Sequence, residues 1–258
     1  STQTLTVQPA ITPGISLPAG ICVGSSNSVS YSGSITAGAS YSWNFGTAAS
    51  PETDTGIGQK DVSWSSSGSK TISLTVSANG CSYNASTTAV VNALPAVNIS
   101  LPATACIGAN TSISTGMAAG ATYSWNFGAG ATPASAVGNG PHSVSWLATG
   151  TKTISLSATQ NGCTANASST IAVQALPGAS FSLPATACAG TQVNIAYTGS
   201  SPASASFNWN FGVGATPATA SGIGPHQVSF TAGNKIVSLS VTENGCTSTP
   251  FTQGISIS

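Results

Sequence analysis

The chain has 258 residues, 40% hydrophobic but only 3% charged, with four lysines, no arginine, four acidic residues and a formal net charge of zero. Roughly a quarter of residues are charged in ordinary globular proteins. This composition therefore excludes a basic patch for nucleic acid and an acidic tract for calcium or basic partners, and no apolar run approaches the ~20 residues that span a bilayer.

Residues 1–10, STQTLTVQPA, align with STTAVVNALPA at 86–96 and SSTIAVQALPG at 168–178. The latter two close repeats, so residues 1–10 are expected to be the last strand of a preceding repeat. The chain then reads as a window cut from a longer tandem array. The next phrase, ISLPAGICVG at 15–24, returns as ISLPATACIG at 99–108 and FSLPATACAG at 181–190. YSWNFG at 41–46 returns at 123–128 and as FNWNFG at 207–212, and the endings ANGC, QNGC and ENGC reach Cys81, Cys163 and Cys246. A period of about 83 residues is domain-sized and too long for a solenoid unit. The expected organisation is residues 11–93, 94–175 and 176–258 as three repeats.

Inside each repeat the hydrophobic period is two, as strands require. In the second, Val144 and Trp146 alternate with Ser143 and Ser145; Ile154, Leu156 and Ala158 then alternate with Thr153, Ser155 and Ser157. Asn161-Gly162 follows as a two-residue hairpin turn. No segment offers a helical apolar stripe. About seven short strands per repeat, punctuated by Gly, Pro and Asn, predict an all-β chain of three tandem immunoglobulin-like sandwiches in line. In such a strand Tyr41, Trp43 and Phe45 point to one face, as do Tyr123, Trp125 and Phe127, and Phe207, Trp209 and Phe211. They are expected to be core, not a sugar-stacking platform, because the opposite face offers only Ser and Asn.

The aromatic phrase is followed by a short strand beginning at His142 or His226, then by GTKTISLSAT or GNKIVSLSVT. This series resembles the polycystic-kidney-disease (PKD) type domain, over nearly the full length of all three repeats. Asn44, Asn126 and Asn210 stand where that family more often has Asp, and Thr47-Ala48, Ala129-Gly130 and Val213-Gly214 replace its Asp-Gly pair. Together with the cysteines, the chain is similar to the PKD-like repeats of very large surface proteins of Bacteroidota. The resemblance implies an extracellular β-sandwich used as spacer, stalk or adhesive module, and no catalysis.

Each repeat holds two cysteines about 58 residues apart, none in a CxxC pair, which argues against zinc and for disulfides in an oxidising compartment. Translational symmetry leaves two pairings. The expected one lies within repeats, Cys22 with Cys81, Cys106 with Cys163 and Cys188 with Cys246; closing each loop would contribute roughly 4 kcal/mol. The other crosses junctions, Cys81 with Cys106 and Cys163 with Cys188.

Chemistry-bearing residues are few. Glu52, Asp54, Asp61 and Glu243 lack counterparts between repeats, and His142 and His226 stand alone where repeat one has Lys60. No catalytic, cofactor-binding or metal-binding residue is expected. Asn84, Asn98, Asn110 and Asn166 begin Asn-x-Ser sequons, which short Ser-rich sequences produce by chance. Sheet edges without their usual lysines, on outward faces of Ser, Thr, Ala and Asn that desolvate cheaply, point to covered surfaces. The expected partners are neighbouring repeats, other copies of the chain and surface glycans. The expected function is a stalk, filament or adhesin shaft on a bacterial surface; the alternative is a glycan- or protein-binding accessory region of a secreted hydrolase.

Overall fold

The computed structural model describes residues 10–116 and 118–258. The expected closing strand at residues 1–10 therefore lies outside the described residues, apart from Ala10. Every element among the described residues is a strand, and the strands form three tandem two-sheet sandwiches.

In the first sandwich one sheet runs in the order Ile21–Cys22, Cys81–Asn92, Gly68–Ala78, Ser40–Asn44 and Thr53–Thr55. The other runs Ile15–Ser16, Asn27–Tyr31, Lys60–Trp64 and Ala49–Ser50. The third sandwich repeats this order with Thr186–Ala187, Phe251–Ile257, Gly233–Glu243, Ser206–Asn210 and Thr219–Ser221 facing Phe181–Ser182, Gln192–Tyr197, His226–Phe230 and Ala215–Thr216. The middle repeat has the same five-stranded sheet, from Thr104–Cys106 through Cys163–Gln174, Gly150–Gln160 and Thr122–Asn126 to Ser135–Val137. Its second sheet is Thr111–Ile113, His142–Trp146 and Ala131–Thr132.

The strands are not uniformly short. A hairpin of 11 and 12 residues, Gly68–Ala78 with Cys81–Asn92, dominates the first sandwich, and strands of the same lengths recur at Gly150–Gln160 and Cys163–Gln174. The turns between the long strands are Asn79-Gly80 and Asn161-Gly162, with φ of 51° and 79°, and 50° and 79°. Asn-Gly is the pair that accepts two successive positive φ values at least cost. At the opposite end of the sheet a short early strand pairs parallel with the last one: Cys22 lies beside Asn92, and Cys106 beside Gln174.

Compaction does not follow the repeats. Among the described residues, one unit holds 10–98, 116, 118–123 and 157–167, and the other holds 99–115, 124–156 and 168–258. The middle repeat thus contributes to both.

The aromatic phrase lies in the cores. In Ser40–Asn44 the pattern alternates exposed and buried, with Tyr41 and Trp43 turned in; Trp43, Phe45, Trp125, Phe127, Trp209 and Phe211 are each at most 2% exposed. Trp43 and Phe45 stack at 5.8 Å, the offset arrangement that aromatic quadrupoles favour. Each indole also donates to a carbonyl: Trp43 Nε1 to Gly56 O at 2.9 Å, Trp125 to Gly138 O at 2.7 Å and Trp209 to Gly222 O at 2.9 Å. A second tryptophan in the opposite sheet, Trp64 or Trp146, donates across the sandwich to Phe45 O or Phe127 O, at 3.1 Å in both. A buried polar atom left without such a partner would cost about 1–3 kcal/mol.

The phrase ends in a turn that explains its last residues. Asn44, Asn126 and Asn210 point outward, and each Oδ1 accepts from the backbone N–H of the following glycine, Gly46, Gly128 or Gly212, at 2.8–2.9 Å. Gly128 has φ of 83°, and a Cβ there would stand 2.6 Å from Thr153 O. Only glycine meets both demands.

Candidate functional site

The isolated acids and histidines occupy local structural positions. Asp54 accepts from Thr55 N at 2.6 Å and pairs with Lys60 at 3.4 Å, while Asp61 accepts from Gln59 at 3.3 Å. His142 and His226 lie edge-on to Trp125 and Trp209, with ring centres 5.6 and 5.2 Å apart. Their Nε2 atoms approach Gly138 O and Gly222 O at 3.2 and 3.3 Å. These are the carbonyls that also accept from the core indoles. In repeat one, Lys60 at the matching place donates to Thr55 O. No group of three or more His, Cys, Asp or Glu that could hold a metal occurs among the described residues. Burial, and then the neighbouring Tyr41, push the Tyr31 hydroxyl above its ordinary value, and their rings meet edge to face at 5.1 Å.

What the fold does bring together are cysteines of successive repeats. Cys22 is bonded to Cys163 and Cys106 to Cys246, with Cα atoms 5.6 and 5.5 Å apart and sequence separations of 141 and 140. Cys81 and Cys188 are free and exposed. This corrects the expectation of bridges within repeats: Cys22 does not pair with Cys81, Cys106 with Cys163, or Cys188 with Cys246. The alternative pairing, Cys81 with Cys106 and Cys163 with Cys188, does not occur either.

The reason lies in the hairpin. Cys81 opens the strand Cys81–Asn92, and Cys22 sits beside the residue that closes it. A 12-residue strand rising 3.3 Å per residue puts those cysteines about 36 Å apart, whereas a disulfide tolerates about 7 Å between Cα atoms. Each sandwich therefore has one cysteine at its hairpin tip and one at its base, and neither can reach the other.

The tip of one repeat meets the base of the repeat before it. Both cysteines of the first bridge lie within one compact unit, and both of the second within the other. At the first junction Cys163 is fully buried, its sulfur 3.9 Å from Ile21 O and 4.0 Å from Asn92 O. Asn92 Nδ2 donates to Asn161 O at 3.5 Å, and Gly162 faces Gly20 so closely that a Cβ on Gly162 would stand 3.8 Å from the Gly20 Cα. At the second junction Cys246 is likewise fully buried, and Gly245 O lies 3.8 Å from the Cys106 sulfur. Beside it the linker residues 174–178, with Ser200, Ser201, Glu243 and Asn244, line a cleft whose one charged group is Glu243.

The junctions were not legible as sites in the sequence. Their signal was present in the two phrases that frame them, LPAxxC at the base and NGC at the tip, which share the same period.

No family model and no curated protein matches the sequence. Among solved structures, the chain is similar to an E-to-A variant of titin domains I67–I69, at 11% identity over 96% of this chain and 99% of that one, with a TM-score of 0.38. It is also similar to the three N-terminal domains of the Highly Immunogenic Outer Capsid protein of bacteriophage RB49, at 12% identity over 96% and 99%, TM-score 0.39. A third similarity is to the N-terminal eight Ig domains of Down Syndrome Cell Adhesion Molecule, at 10% identity over 95% and 36%, TM-score 0.42. With scores this low, the assignment of tandem immunoglobulin-like sandwiches stands on the chain's own strand order.

Proposed function

We propose that the chain is a structural, non-enzymatic segment of an extracellular bacterial surface protein, a PKD-like stalk or shaft whose task is mechanical. The observation that carries this reading is the disulfide pattern. Bridges that join the base of one sandwich to the tip of the next fix repeat to repeat, and structural disulfides belong to oxidising compartments. The buried aromatic phrase supports it, since the rings that could have stacked on sugars are spent in three cores.

The outer surface fits lateral packing with other copies. Val90 and Ile236, on long strands, are 60% and 67% exposed, and the residues two positions to either side on the same strand are Thr88 and Asn92, and Asn234 and Ser238. Such a face gives up little on desolvation.

Pulling single chains by their ends tests the mechanical role. Fully unfolded with both bridges intact, the shortest covalent path between the ends runs through residues 1–22, 163–106 and 246–258, about 330 Å at ~3.5 Å per residue. With both bridges reduced, the whole 258-residue path opens to about 900 Å. The same extension in both redox states would defeat the reading. Immunogold labelling of intact source cells that finds the chain inside the cell would also defeat it.

A further inference from the structure

Three of the chain's four acids lie in the first repeat; the fourth, Glu243, ends the long strand Gly233–Glu243. At the same place, directly before the Asn-Gly turn, the second repeat has Gln160 and the first has Ala78. Ala78 is buried. Gln160 Nε2 donates to Ala119 O and so ties the hairpin to the loop ahead of the aromatic strand. An ionised carboxylate only accepts, so Glu243 cannot repeat that bond. Nor is it neutralised within the protein: the one ion pair among the described residues joins Lys60 and Asp54.

Glu243 instead lines a cleft of about 300 Å³, at the lower end of the range for small-molecule sites. The lining is held in place. Gln174 is paired with Cys106 in the parallel ladder, and Ile107 N donates to Gln174 O at 2.9 Å. Asn244 sits in the turn before Cys246, with φ of 51°, and Cys246 is bonded to Cys106. One disulfide therefore anchors both. Elsewhere in the lining, the Tyr197 hydroxyl donates to Gly178 O at 2.8 Å and accepts from Ser201 N at 2.9 Å, fastening linker to loop. Ser201 is only 7% exposed. The hydroxyls of Ser200 and Ser201 and the amides of Gln174 and Asn244 thus share a preformed cleft with a single carboxylate. Such preorganisation lowers the entropic cost of binding.

We propose that this cleft binds an amino sugar, a polyhydroxylated ring carrying a protonated primary amine. The ammonium pairs with the Glu243 carboxylate in a charge-assisted hydrogen bond. The ring hydroxyls exchange hydrogen bonds with the serines and the two amides, all of which both donate and accept. A calcium ion fits the donor set less well, because its affinity rises with the number of charged ligands and only one is present. A lysine side chain fits less well too, since its apolar stem would leave hydroxyls and amides without partners. The site uses polar groups where the aromatic phrase would have used stacking, and it does not rest on the mechanical reading.

The test titrates the isotope-labelled chain with D-glucosamine, in mildly acidic buffer that keeps the sugar's amine protonated, and follows backbone amides by NMR. The expected result is saturable shifts at Gln174, Ser200, Ser201, Glu243 and Asn244, with a millimolar midpoint. D-glucose and N-acetyl-D-glucosamine keep the ring without the charge, and the amide of Nα-acetyl-lysine keeps the charge without the ring; each is expected to bind about tenfold more weakly, a difference of about 1.4 kcal/mol. Glu243→Gln places in the third repeat the residue that the second already carries there. It is expected to fold and to weaken glucosamine by about tenfold. No saturable shift with glucosamine, equal binding of glucose, or unchanged affinity in Glu243→Gln overturns the proposal. Equal binding of the lysine amide also overturns it and assigns the cleft to a basic peptide. All of these results leave the pulling experiment, and the mechanical role it measures, untouched.

Discussion

The bridge pattern makes a prediction that needs no mutation. All cleavable basic sites are lysines, at Lys60, Lys70, Lys152 and Lys235, so a lysine-specific protease acting on the denatured, thiol-capped, unreduced chain cuts it into five peptides. If Cys22 is bonded to Cys163 and Cys106 to Cys246, peptide 1–60 stays attached to 153–235, and 71–152 to 236–258, while 61–70 comes off free. Bridges within repeats would instead hold four of the five peptides in one species. Bridges joining Cys81 to Cys106 and Cys163 to Cys188 would lie inside single peptides and cross-link none. The expected magnitude comes from the hairpin: about 36 Å between the tip and base of one sandwich, against 5.6 Å for the Cα atoms of Cys22 and Cys163. Mass spectrometry before and after reduction reads the result directly. A single four-peptide species would refute the argument, because the strand Cys81–Asn92 could not then be continuous.

Three further outcomes follow from the same geometry. Replacing Cys22 and Cys163 together by serine opens a closure spanning 141 residues, and urea unfolding followed by tryptophan fluorescence is expected to lose up to about 5 kcal/mol in the chain-entropy model; Cys81→Ser, at a free exposed position, is expected to lose almost nothing. Gly128→Ala meets both a φ of 83° and Thr153 O at 2.6 Å and should cost about 3 kcal/mol, whereas Asn126→Ala removes only the bond to Gly128 N, about 1 kcal/mol, and Asn126→Asp, which keeps an acceptor, less. Trp43→Ala in a fully packed core should cost about 3–5 kcal/mol, while Trp64→Phe loses chiefly the indole bond to Phe45 O and is expected to be mild, since Phe230 is buried at the matching place in the third sandwich.

Much of the fold was legible because its signals are local. Alternation at Ile154, Leu156 and Ala158 became three buried side chains, and Asn161-Gly162 became a positive-φ turn; a two-residue period and a turn pair need only their immediate neighbours. The outward Asn126 was legible as a face, but its bond to Gly128 N required the turn itself. The lengths of the hairpin strands were less visible, because the mostly polar stretch 82–88, SYNASTT, carries no strong apolar alternation.

By itself the sequence determined the period, the all-β character and the aromatic cores, since each copy of a phrase reports the same local environment. It left the cysteine partners open, because spacing along the chain does not say which end of a sheet a residue occupies. Only the tertiary structure decided that, by pairing Ile21–Cys22 in parallel with the far end of the strand that Cys81 begins. That register carries the two cysteines of one repeat to opposite ends of its sheet, and it gives the bridges to the junctions.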